Sequence, residues 1–141
     1  SLKELKRAGY PLSKAIGSVY GDAAAKAFLP LWRKHIALVV DYAGGLAIKD
    51  KAKSDKAMND LAAYADDFGA FLNSANSNLP KAAVADLVKA HFLSLKDVLD
   101  AQAAGDYAKA YPALRKAFAH MSVIADPLAD ASVKQFPDKF K

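Results

Sequence analysis

The sequence predicts an all-α protein, built as an up-down-up-down four-helix bundle with an additional N-terminal helical segment. Hydrophobic residues make up 53% of the 141 residues, and many of them are alanine, the best helix former. Threonine is absent, and strict two-residue alternation does not persist along the chain. Apolar residues instead recur at helical spacing over four long stretches with short connections, which is typical of a helical bundle.

The N-terminal segment, residues 1–21, is predicted to be helical but interrupted. Ser1 to Arg7 would form a short helix, because Gly9 and Pro11 disfavour its continuation. Leu12 to Tyr20 is again helical in pattern.

The bundle itself is predicted to occupy residues 22–136. Its helices are expected at 23–48, with a kink or restart at Pro30, then at 54–74, from Pro80 to 104, and at 107–136. In the last helix we expect one apolar stripe to point inward; its residues are Tyr111, Leu114, Phe118, Met121, Ala125 and Leu128. Residues 137–141 form a tail that should fray unless Phe140 docks. We therefore expect a single domain over residues 1–141.

The two halves of the bundle resemble each other. Offset by 56 residues, His35 aligns with His91, Asp41 with Asp97, and Tyr64 with His120. This pattern predicts a duplicated helical hairpin.

Composition excludes several classes of site. With no cysteine, the chain has no disulfide, thiolate metal site or iron–sulfur cluster. Only one glutamate is present, Glu4, and no HExxH, paired ExxH or phosphate-binding glycine loop occurs. The formal charge of +5 comes from lysines spread along every helix, so we expect no nucleic-acid binding. No stretch approaches the ~20 apolar residues of a membrane span.

The three histidines are the strongest functional pattern. His35 and His91 lie on apolar stripes, and the helix lengths place His35, Tyr64, His91 and His120 each about 14 residues from a connection. All four should therefore share one cross-section of the bundle. Asp67, one turn after Tyr64, is the nearest carboxylate on the same face.

This layer has three interpretations. His35, His91 and His120 could bind a transition metal such as copper, zinc or iron, with Tyr64 and Asp67 as further ligands. His35 and His91 alone could be axial ligands of haem, which is disfavoured because haem needs a cavity. Alternatively, the histidines are packed core residues, satisfied by tyrosine or by backbone carbonyls.

Several short runs resemble a helical domain of secreted bacterial proteins that also occurs beside copper amine oxidase-like stalk domains. The runs are Ala15–Gly21, Leu31–Ile36, Val40–Tyr42, Gly105–Tyr107, Ala119–Met121 and Gln135–Pro137. The resemblance implies an exported helical bundle, extracellular or at the cell surface, and assigns it no activity.

Three functional hypotheses follow. The first is a non-catalytic extracellular module that binds metal through the histidines. The second is a small metalloenzyme or haem protein that uses the same residues, with Tyr64 and Asp67 as the nearby acid–base groups. The third is a structural module that forms a homo-oligomer or binds a protein partner through its N-terminal segment.

Overall fold

The computed structural model describes residues 2–141, which form five α-helices and a short terminal 3₁₀ helix. The helices are α1 (Leu2–Tyr20), α2 (Asp22–Ala47), α3 (Lys51–Ala75), α4 (Lys81–Ala103), α5 (Tyr107–Gln135) and the 3₁₀ helix (Pro137–Phe140). Residues 2–141 contain no strand, so the all-α prediction is confirmed. Within the same residues, no helix is long and apolar enough to cross a membrane.

The helix ends follow local chemistry. Asp50 caps α3 by accepting a hydrogen bond from the Lys53 amide at 2.9 Å, and Asp106 caps α5 through the Lys109 amide at 3.1 Å. Gly105, which follows α4, has φ of 70°, a conformation that favours glycine. These short connections reverse the chain between consecutive helices.

The predicted break in the N-terminal segment is wrong, because α1 is one helix that contains both Gly9 and Pro11. Ser1 lies outside the described residues. A Cβ at Gly9 would lie 2.5 Å from Cδ1 of Trp32, so the glycine allows α1 to approach α2 closely. Pro11 leaves the carbonyl of Arg7 without its helical donor, but Arg7 is exposed and water can hydrate that carbonyl.

The helices pack mainly in chain order: α1 on α2, α2 on α3, α3 on α4, and α4 on α5. The core lies along α3 and α4; its buried residues include Leu61, Tyr64, Ala65, Leu72, Val84, Val88 and Phe92. Among the described residues, α5 does not pack lengthwise against α2. The arrangement is therefore open between these two helices.

The buried face of α5 differs from the predicted one. Ala110, Ala117 and Ala131 are buried, whereas Leu114 and Phe118 are exposed. Small side chains let α5 lie close to α4, and this close packing selects the alanine stripe over the adjacent stripe of large residues. The expectation that Tyr111, Leu114, Phe118 and Met121 point inward is therefore wrong.

Candidate functional site: a histidine and aromatic layer

A continuous layer of aromatic and imidazole rings crosses the middle of α2, α3, α4 and α5. We call it the aromatic layer; its members are Trp32, His35, Tyr64, Phe92, His91 and His120. Each ring contacts at least one other member. The layer therefore brings together the four residues that the helix lengths placed in one cross-section.

His35 occupies the α2 side of the layer. Its ring lies 4.6 Å from Trp32 in an edge-on contact and 5.8 Å from Tyr64, measured between ring centroids. The pKa of His35 is lowered to about 4, mainly by burial, and charge repulsion from the nearby His91 acts in the same direction. Backbone carbonyls of Trp32 and Leu31 oppose this shift. His35 is therefore neutral near pH 7.

His91 and His120 form a stacked pair between α4 and α5. Their ring centroids are 5.8 Å apart and their planes differ by only 16°. Burial lowers the pKa of His91, and repulsion from His120 acts in the same direction. A neutral His91 keeps a lone pair available for a ligand at pH 7.

Each of the three histidines buries its Nδ1 atom without a hydrogen-bond partner. For His35 this means that the carbonyls of the preceding turn do not meet hydrogen-bond geometry at Nδ1. An unpaired buried polar group costs about 1–3 kcal/mol, and three of them occur in one layer. A bound group that used these nitrogens would remove that cost.

The five predicted site residues do not converge on one point. The ring of Phe92 lies 6.5 Å from both His35 and His91, so it contacts the α2 histidine and one member of the stacked pair. Among the described residues, no three His, Cys, Asp or Glu side chains are arranged to hold one metal ion. The assignment of these residues to a metal stays a prediction.

Tyr64 and Asp67 have different surroundings. Tyr64 is only 4% exposed, and burial together with the charge of Asp67 raises its pKa. The Asp67 carboxylate lies at the surface and accepts a hydrogen bond from Lys34 Nζ at 2.9 Å. Asp67 thus faces a lysine of α2, while Tyr64 belongs to the aromatic layer.

The sequence analysis missed a second polar cluster, between α2 and α4. Tyr42 donates a hydrogen bond to Asp100, whose carboxylate also pairs with Lys96. Burial and this bond raise the pKa of Tyr42, which stays a neutral donor. The three residues border a surface groove of about 790 Å³, together with Lys49 and Asp50. Tyr42 and Asp100 belong to different helices, and no spacing in the sequence connects them.

Comparisons of the chain with protein-family models, with curated proteins and with solved structures find no match. Function is therefore inferred from the aromatic layer and from the surface around it.

Proposed function

We propose that the protein is a non-catalytic helical module that binds a transition-metal ion at the stacked pair His91 and His120. The observation that carries the proposal is the parallel stack at 5.8 Å, in which each ring has a buried Nδ1 without a hydrogen-bond partner. Imidazole is a good ligand for zinc, copper, nickel and iron.

The separation of the two rings is compatible with a shared ion. A metal–nitrogen bond is about 2.0–2.1 Å, so two imidazoles on one ion have ring centroids no more than about 6.4 Å apart. The pair falls inside that limit, but imidazole lone pairs lie in the ring planes, so at least one ring must turn out of the stack before both can bind one ion. The His35 ring instead contacts Trp32, Tyr64 and Phe92.

The surroundings of the pair favour binding over catalysis. A metalloenzyme needs an acid or base within hydrogen-bond reach of the reacting atoms. Asp67, the nearest predicted carboxylate, is ion-paired with Lys34. The packing of the Phe92 ring against both His35 and His91 also disfavours a haem held by these two histidines, because a haem needs a cavity.

We also infer that α2–α3 and α4–α5 derive from one duplicated hairpin, since His35 and Asp41 align with His91 and Asp97. In that view α2–α5 form a four-helix bundle that is open on one side. The resemblance to secreted helical domains supports an extracellular or cell-surface location. Fractionation of the source cells, followed by immunodetection, would test that location.

Metal titration tests the proposal directly. Metal-free protein is prepared with EDTA and melted with and without zinc(II) or copper(II). Because binding to the folded state alone stabilises it, an ion at 100 times its dissociation constant should raise Tm by about 5–10 °C. His91→Ala and His120→Ala should each abolish the shift.

His35→Ala is the internal control, because it removes a buried imidazole of the same layer but leaves the pair intact. It should melt at a lower temperature and keep the metal-dependent shift. If wild type and all three variants respond identically to metal, the histidines are packed core residues and the proposal is wrong. If His35→Ala also loses the shift, the site uses three histidines, contrary to the two-histidine proposal.

A further inference from the structure

In the part of the chain that the structure describes, no helix covers a row of large apolar side chains on α5. Phe118 is 79% exposed, Tyr107 62% and Tyr111 61%, while Leu114 and Met121 are each 48% exposed. We call these five residues the α5 seam. Together they expose on the order of 600 Å² of mostly apolar surface, more than scattered surface residues account for.

The spacing of the α5 seam is that of a helix–helix contact. Its members follow one another at intervals of four, three, four and three residues, as the a and d positions of a heptad do. They form one straight row about 21 Å long. Such a row indicates packing against another helix, not isolated exposed residues.

Near the C-terminal end of α5, the same face of the helix is covered. Ser132 continues the heptad spacing of the seam, and it bonds to the Tyr20 hydroxyl of α1 at 2.6 Å. Tyr20 also contacts Phe136, with ring centroids 5.9 Å apart. A helix of the same chain therefore covers this face near residue 132, and none covers it between residues 107 and 121.

The charges beside the seam help to identify the occupant. The flanking heptad positions hold Ala108, Ala110, Ala117 and Ser122, and only Arg115 is charged. A strongly basic or acidic partner would be matched by charges at these positions, which are absent here. A second copy of the chain fits this surface best, because the flanking positions of its own α5 seam carry equally little charge.

We propose that the protein forms a two-fold symmetric dimer in which the α5 seams of two copies pack antiparallel. A two-fold axis crossing between Tyr111 and Leu114 places Tyr107 of one copy against Phe118 of the other. It also places Tyr111 against Leu114, so four of the five seam residues meet a seam residue of the other copy, and Met121 lies beyond the start of the other copy's α5. The two seams would bury about 1,200 Å² in total, which passes the roughly 1,000 Å² expected of a specific interface.

Sedimentation equilibrium of the metal-free full chain tests the proposal, over about 10 µM to 1 mM protein. Wild type should dimerise reversibly within this range. Phe118→Lys should raise the dimer dissociation constant at least tenfold. Val123→Lys is the matched control, since Val123 is 51% exposed on the same helix but lies off the seam, and it should dimerise like wild type. Both variants should keep the wild-type Tm at low concentration, because both sites are exposed.

A cross-link locates the contact. The chain has no cysteine, so Leu114→Cys should be joined between copies by a short bis-maleimide, and Val123→Cys should not. A monomer at every concentration would overturn the proposal, as would a dimer that Phe118→Lys leaves intact. A monomer that sediments with phosphatidylglycerol vesicles through Phe118 would identify a lipid-binding face and would also overturn it.

Discussion

Gly69 of α3 lies against the backbone of α4 at Lys81. A Cβ added at Gly69 would be 2.4 Å from the Lys81 carbonyl oxygen and 3.3 Å from the Ala85 amide nitrogen. Both atoms belong to the backbone and cannot rotate away. The closeness of α3 and α4, the two helices that carry most of the core, therefore depends on the absence of a side chain at residue 69.

We expect Gly69→Ala to destabilise the fold by about 2–3 kcal/mol, because overpacking forces the two helices apart. Gly44→Ala is the matched control: its Cβ would meet only the Lys53 Nζ atom, at 3.6 Å. There the higher helix propensity of alanine should stabilise the protein by about 1 kcal/mol. Urea denaturation of both variants measures the difference, and two effects of the same sign would contradict the prediction.

Asn76 should be the most sensitive polar residue of the chain. It is fully buried, donates to the Ala131 carbonyl at 2.8 Å and accepts from the Asn78 amide at 3.0 Å. Asn76→Ala removes both bonds together with a fully buried polar side chain, so we expect a loss of about 2–4 kcal/mol. Hydrogen exchange should accelerate in the last turns of α5, near residue 131. Asn78→Ala, which keeps the Asn76 side chain, should cost far less.

The stability of the metal-free protein should fall on acidification because of His35. Its pKa is about 4 in the folded state and 6.5 in the unfolded chain, so the unfolded chain binds the proton first. The contribution of neutral His35 to the free energy of unfolding is fully present above pH 6.5. It decreases as the pH falls from 6.5 to 4, and it does not change further below pH 4. The total loss is at most about 3 kcal/mol.

His35→Phe isolates this contribution, since it keeps a ring of similar size in the aromatic layer. As the pH falls from 6.5 to 4, the unfolding free energy of wild type should decrease relative to that of His35→Phe. His91 is present in both proteins, but its repulsion of His35 is lost in His35→Phe, so the difference reports His35 together with that repulsion. A difference that does not vary with pH would show that His35 does not resist protonation.

Tyr42 should contribute more than a tyrosine at the surface. The residue is buried overall, and its hydroxyl donates to the Asp100 carboxylate in a partly buried bond that joins α2 to α4. Tyr42→Phe should cost about 1–2 kcal/mol, since bonds to charged groups are stronger than neutral ones. Tyr10→Phe removes an exposed hydrogen bond of 3.1 Å, which the Arg33 guanidinium donates to the Tyr10 hydroxyl. This variant should change stability by less than about 0.5 kcal/mol. Thermal melts at pH 7 are sufficient to compare the two variants.

The helical nature of the chain and most helix ends could be predicted from local chemistry. Asp50 and Asp106 cap the following helices, and Gly105 ends α4, as their side chains and backbone freedom require. The position of the aromatic layer was also predictable, because helix length and rise fix where His35 and His91 lie along the bundle.

The two wrong predictions, the buried face of α5 and the break in α1, have one physical origin. Hydrophobic periodicity shows which residues share a helix face, but not which face another helix will cover. In α5 two neighbouring stripes are apolar, and the small residues Ala110 and Ala117 face α4 because they allow closer packing. In α1, contact between Gly9 and Trp32 holds together a helix that the local sequence disfavours.

The sequence by itself determined that the protein is helical, where most of its helices end, and that its histidines lie at one level. Each of these depends on contacts within a few residues or on the constant rise of a helix. Only the tertiary structure decided that His91 and His120 form a stacked pair while His35 packs against Trp32, and that the α5 seam faces outward. Both depend on the rotation and spacing of whole helices, which packing between distant segments sets.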